Sequence, residues 1–156
     1  VGSEMCIRDS GKSVWAMIDL DTRQPADILS VRGGLITEYI ETEYSCPIEK
    51  SSRVKMSADA TPVRSIDTYY NDVDINGHIN SVKYIEHMLD LWDVAWYKQH
   101  RIKRFEIAYV AESHQGDKLH FYREQRETET DFNVRITKSN VGREETEVCR
   151  CRVQFV

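Results

Sequence analysis

Asp74-Ile75-Asn76-Gly77-His78-Ile79-Asn80, continued without a break by Ser81-Val82-Lys83-Tyr84-Ile85-Glu86-His87-Met88-Leu89-Asp90, is the stretch around which this chain organises. The second part sets Val82, Ile85, Met88 and Leu89, then Trp92 and Trp96, at steps of three and four, the period of a helix with one apolar face. That period predicts a helix reaching about Tyr97. The first part gathers a carboxylate, an imidazole and two carboxamides within seven residues, directly ahead of the helix. Polar groups there share space with unpaired backbone N–H groups and the positive end of the helix dipole, which together polarise a bound carbonyl. Asn76 and Asn80 both suit the N-cap, and the sequence leaves that choice open. Taken singly, each member reads as a cap, a turn residue or a satisfied polar group; the combination marks a candidate site.

On either side of this stretch the pattern has a period of two. Pro62 to Asn71 alternates Val63, Ser65, Asp67 and Tyr69 with Arg64, Ile66, Thr68 and Tyr70. After the helix, Lys103–Ala111, Asp117–Gln125, Asp131–Lys138 and Glu144–Val156 alternate in the same way, separated by Gln115-Gly116, an acidic stretch from Glu127 to Glu129, and Asn140 to Gly142. One strand, one long helix and four further antiparallel strands predict an α+β unit whose sheet buries the apolar side of the helix. No solenoid-length repeat is present.

Before Pro62 the reading is less regular. Residues 1–10 carry no period and read as a foreign leader. Ser13 to Leu20 alternates like a strand, and an unpaired strand is unstable. It is therefore expected either to join the later sheet or to be the last strand of a domain whose beginning is absent. Residues 27–61 are polar, with a short helix expected between Ile28 and Glu43, broken at Gly33-Gly34, and a serine- and charge-rich linker from Cys46 to Ala60.

The 156 residues, 40% hydrophobic, suit a single folded core. A net charge of −5 argues against nucleic-acid binding, which needs a broad basic surface. No apolar run spans a bilayer, and a cytoplasmic protein is expected. One basic stretch stands apart: Lys98, Arg101, Lys103 and Arg104, with His100 among them, can meet an acidic partner. Cys6, Cys46, Cys149 and Cys151 match neither a disulfide framework nor a zinc spacing; Cys149 and Cys151 alternate with Val148, Arg150 and Arg152 as buried strand positions. No metal and no cofactor is expected.

A carboxylate, an imidazole and a carboxamide together suit hydrolysis of an activated acyl group, in which water loses a proton as it attacks and negative charge grows on the carbonyl oxygen. A second acid, Glu112, closes the strand Lys103–Ala111. Glu106 shares its strand face by parity, so location alone distinguishes the two. No Gly-x-Ser-x-Gly elbow is present and no cysteine lies in the cluster; a covalent intermediate, if one formed, would fall to Asp74. The residue types leave the base open between His78 and Glu112.

The run Tyr70–Asp90, with Phe105-Glu106-Ile107-Ala108-Tyr109-Val110-Ala111-Glu112 downstream, resembles the acyl-acyl-carrier-protein thioesterases, proteins with two tandem hotdog domains. Trp15 to Pro25 resembles the end of that family's first domain. The resemblance implies a hotdog fold, an antiparallel sheet wrapped around one central helix. It places the end of a truncated N-terminal hotdog domain at 11–26 and a C-terminal hotdog domain at 62–156. It implies catalytic positions at Asp74, Asn76, His78 and Glu112, substrate-binding positions at Asn80 and Tyr84, and an acyl carrier protein as partner; the basic stretch of Lys98, Arg101, Lys103 and Arg104 is then a candidate contact for that acidic carrier. Plant members carry a cysteine after the glutamate where this chain has Ser113, which disfavours a thiol nucleophile here. With the first domain nearly all missing, such a fragment is expected to be weak or inactive and to self-associate through exposed apolar surface. Two other readings compete: an acyl-CoA thioesterase or hydratase of the same fold, and a non-catalytic sensor that binds an acyl thioester.

Overall fold

The computed structural model describes residues 11–22, 24–142 and 144–156, so the leader reading of residues 1–10 lies outside the described residues. The chain divides into two compact units, one ending at Lys50 and the other formed by Ser51–Val156.

In the first unit, the strand expected over Ser13–Leu20 does not form. A strand needs a neighbour to complete its ladder, and among the described residues these find only the isolated bridge between Ile18 and Pro25. The turn inside the bridge is closed by Asp19, whose carboxylate accepts from the Asp21 and Thr22 N–H groups and the Thr22 hydroxyl. Ile28–Tyr39 forms 3-10 turns on either side of a kink, with Asp27 as N-cap accepting from Leu29 N–H at 2.9 Å. The kink spans Val31 to Gly34, and there Arg32, Gly33 and Gly34 all take positive φ. No side chain of this element is buried.

The second unit is an α+β hotdog. Its strands are β1 (Arg64–Asp67), β2 (Ile102–Tyr109), β3 (Lys118–Gln125), β4 (Asp131–Ser139) and β5 (Thr146–Phe155). They form one antiparallel sheet in the order β1-β3-β4-β5-β2. The expected helix appears as two: α1 (Ser81–Leu89) and α2 (Val94–Gln99). The apolar period runs through the break unchanged, but Asp93 accepts from Trp96 N–H at 2.8 Å and starts a new helix, and the Tyr97 hydroxyl closes the corner on the Leu89 carbonyl at 2.7 Å.

One sheet face packs on the helices. Leu119 and Phe121 from β3, Phe132, Val134 and Ile136 from β4, and Cys149, Cys151, Val153 and Phe155 from β5 bury against Tyr84, Met88 and Trp92. The two cysteines are core side chains with no exposure. Removing a side chain such as Met88 or Phe121 fully from water contributes roughly 1.5–3 kcal/mol. The opposite face is polar, and the segment after Ser51 lies against it: Ser52 donates to Glu106 of β2, Asn133 of β4 donates to the Lys55 carbonyl, and Ser57 donates to Glu124 of β3. The serine- and charge-rich stretch expected as a linker is thus, from Ser51 onward, a strap on the outer face. No helix among the described residues is long and apolar enough to cross a membrane.

Candidate active site

The polar run folds as a short hairpin rather than an extended segment. Val73 and Ile79 bridge, Asp74 N–H donates to the His78 carbonyl at 2.8 Å, and Gly77 N–H donates to the Asp74 carbonyl at 3.1 Å. Gly77 holds φ at +82°, a left-handed conformation that costs a side-chain-bearing residue energy. The Asp74 carboxylate accepts from Asn76 N–H at 2.8 Å and His78 N–H at 3.2 Å. Partial burial pushes its pKa up, but these N–H groups favour the anion and the net shift is downward. Asp74 therefore shapes the turn and stays ionised. Asn76 sits exposed near its tip beside Ile75, which is 98% exposed.

The N-cap is Asn80, whose side chain accepts from Val82 N–H at 3.0 Å. Its own N–H donates to the Asp72 carbonyl at 2.7 Å, and its carbonyl accepts from Lys83 N–H at 2.9 Å. With these groups engaged, α1 acts on its surroundings mainly through its dipole. Asp72 anchors the loop from beneath: its carboxylate accepts from Tyr69 N–H at 2.7 Å and stands 3.4 Å from His87 Nε2.

The second limb comes from beyond β2. Ile79 N–H donates to the Ser113 carbonyl at 2.8 Å, stitching the hairpin to the residues after the strand. That contact brings Glu112 Oε2 to 3.4 Å from His78 Nε2. Both side chains are reachable from solvent, at 32% and 54% exposure. Glu106, equivalent by parity, is built differently: its carboxylate is buried on the outer face and accepts from Ser52 and from Arg104, the latter at 2.5 Å. Burial raises its pKa, and the Ser52 and Arg104 contacts outweigh that and hold it low. Glu106 fastens the strap, and Glu112 faces the imidazole.

One feature lay beyond sequence reasoning. His114 brings a second imidazole to the site, its ring centroid 5.0 Å from that of His78 and edge-on to it. The turn that carries it is pinned by Asp117, which accepts from His114 N–H at 2.9 Å and Asn140 at 3.0 Å, and by Thr68, which donates to the Asp117 carbonyl at 2.8 Å. A histidine two residues past a strand-end glutamate was the signal available. Tyr84 is buried beneath the site, 3% exposed, with its ring 6.2 Å from Tyr109; burial pushes its pKa up to about 12. The basic residues lie elsewhere. Lys98 lies in the last turn of α2, Arg101 precedes β2, and Lys103 and Arg104 lie near its start, whereas the site lies past the other end of that strand. Lys98, Arg101 and Lys103 are exposed, and Arg104 is occupied with Glu106.

With this geometry in hand, comparison with known proteins identifies the class. A family model described as the acyl-ACP thioesterase C-terminal domain matches residues 55–155, and the chain belongs to that family. An acyl-ACP thioesterase from Bacteroides thetaiotaomicron is 45% identical over 89% of this chain and 53% of its own, with a TM-score of 0.77. A 12:0-ACP thioesterase from Umbellularia californica, 20% identical over 89% of this chain and 52% of its own, shares the fold at a TM-score of 0.67. So does a hexameric thioesterase from Yersinia pestis, 13% identical over 65% of this chain and 89% of its own, at 0.55. The chain spans about half the length of the first two structures. No curated protein sequence matches it.

Proposed function

We propose that this chain carries the catalytic half of a thioester hydrolase that releases free fatty acid from acyl-acyl-carrier-protein. The observation that carries the proposal is the approach of His78 Nε2 to Glu112 Oε2, 3.4 Å apart on two limbs more than thirty residues distant in sequence. A solvent-reachable imidazole–carboxylate pair suits removal of a proton from water. The water oxygen attacks the thioester carbon as its proton passes to the pair. The carbonyl oxygen takes up negative charge near the positive end of α1 and the exposed carboxamide of Asn76, and collapse expels the thiolate, which recovers the proton. Asp74, locked as an anion into the hairpin, positions His78. Cys149 and Cys151, buried in the core, are not placed to act as nucleophiles.

The acyl carrier protein is the partner this reading requires, with Lys98, Arg101 and Lys103 as its electrostatic contact. The family and the Bacteroides structure support that carrier. Tyr70, Ile75, Tyr109 and Val110 are exposed on both limbs and offer apolar surface for self-association.

Hydrolysis of acyl-carrier-protein and acyl-CoA substrates of several chain lengths, followed by thiol release, tests the proposal. His78→Ala and Glu112→Ala are each expected to lower kcat/KM by about 10²- to 10⁴-fold. Turnover at the parent rate in both variants would remove the pair from the mechanism. A preference for CoA would keep the chemistry and change the carrier. Charge reversal at Lys98 and Lys103 should raise KM for the carrier-bound substrate alone; an unchanged KM would remove the docking assignment.

A further inference from the structure

The outer face of the sheet holds a feature that thioester hydrolysis does not use. Arg135 of β4 and Arg150 of β5 are direct cross-strand partners. They stand on the polar face, because their neighbours Val134, Ile136, Cys149 and Cys151 all point into the core. Like charges placed directly opposite in a sheet repel and destabilise it. The strap adds Arg53 and Lys55, and the four cations line a cavity of about 290 Å³ in which Glu147 is the only carboxylate among the described residues.

Among the described residues, two carboxylates stand near these four cations. Glu147 pairs with the Nε of Arg150. Glu145, the next carboxylate toward Arg135, spends Oε1 on the hydroxyls of Tyr122 and Thr137. The Arg135 guanidinium lies over the Tyr122 ring at 4.4 Å, which fixes its plane, and its Nε is buried with no hydrogen-bond partner among the described residues. A buried donor left unmade costs free energy. Two guanidinium forks beside two exposed cations match a tetrahedral dianion, for which arginine supplies paired N–H donors.

We propose that this cavity is a binding site for a phosphoryl group, closed over by the strap at Arg53–Lys55 and independent of the hydrolytic pair. An anion bridging Arg135 and Arg150 would turn the cross-strand repulsion into a clamp between β4 and β5, and would order the strap. A free phosphate and the phosphate of a nucleotide share this chemistry.

The test titrates the chain with inorganic phosphate and, separately, with adenosine 3′-monophosphate, at ionic strength held constant with KCl. Melting temperature and titration calorimetry supply the readouts. Phosphate should raise the melting temperature saturably, as expected for a ligand of the native state, and KCl alone should not. Arg53→Gln, on the exposed strap, and Arg150→Gln should each weaken binding by about tenfold or more, while hydrolysis, whose residues lie elsewhere, stays unchanged. Tighter binding of the nucleotide identifies a nucleotide phosphate as the ligand, and equal binding identifies the phosphoryl group alone. No shift beyond that of KCl with either probe, or an undiminished shift in Arg53→Gln and Lys55→Gln, overturns the proposal. The two strap variants keep the test decisive if a strand variant does not fold.

Discussion

At the end of the sheet where β2 stops and β3 begins, order comes from hydrogen bonds between polar groups: Ile79 to Ser113, Asn80 to Asp72, Thr68 to Asp117. At the opposite end, Trp92 meets Phe132 and Phe155 edge to face at 5.2 and 5.0 Å, Trp96 adds its ring, and Arg123 lies 5.3 Å over Trp92 while donating to the Leu91 carbonyl. The same five strands thus carry an aromatic anchor at one end and a polar, reachable site at the other. On the proposed function, stability and chemistry are separated along the strand axis, so a change at either end should register mainly in its own observable.

The sharpest way to break that contrast is Phe155→Ala or Trp92→Ala. Emptying a fully packed aromatic position typically costs about 3–5 kcal/mol, read in denaturant unfolding, and a loss below about 1 kcal/mol would show that the aromatic end is not the anchor. Next is Asp131→Asn on the outer face at the same end. Asp131 binds Arg152 through two hydrogen bonds of 3.0 and 2.7 Å, and losing such a charged contact costs roughly 1.5–3 kcal/mol. Arg152 holds the Asp131 carboxyl below its usual range. Because the folded pKa is the lower one, this stabilisation is present above the ordinary Asp value near 4 and fades as the pH falls through the folded pKa. The variant should therefore lose stability at neutral pH and lack that part of the acid limb.

Smaller effects belong to the polar end. Asn80→Ala removes the α1 cap and is expected to cost about 1 kcal/mol, with a fall in activity because the hairpin is seated on that residue; unchanged unfolding would show that the cap is redundant. Smallest of all is the stability change for His78→Ala, expected within about 0.5 kcal/mol because the ring is partly exposed and leaves no cavity. A loss of several kcal/mol there would merge the two ends into one cooperative unit and undo the contrast.

Much of this was legible in residue order. Period-two alternation located all five strands to within a few residues, and the Asp-x-Asn-x-His-x-Asn run marked the hairpin. What escaped depended on competition between local and distant partners. Asp93 caps a new helix where the apolar period alone implies one continuous element. Ser13–Leu20 alternates but finds only the Ile18–Pro25 bridge among the described residues, so alternation does not become a strand. Glu106 and Glu112 look alike in parity; Ser52, more than fifty residues upstream, engages the first, and the hairpin's hold on Ser113 delivers the second to His78. His114 arrives by the same turn.

The contacts that seat the hairpin, from Ile79 to Ser113, from Asn80 to Asp72 and from Asp74 to His78, join main-chain groups. A cradle made of peptide bonds is indifferent to which side chains it displays. Evolution, or an engineer, can exchange the side chains at 76, 78 and 112 for others without dismantling what holds them, so long as Gly77 keeps its left-handed turn. On that basis this scaffold is a replaceable-head tool, whose handle survives a change of chemistry.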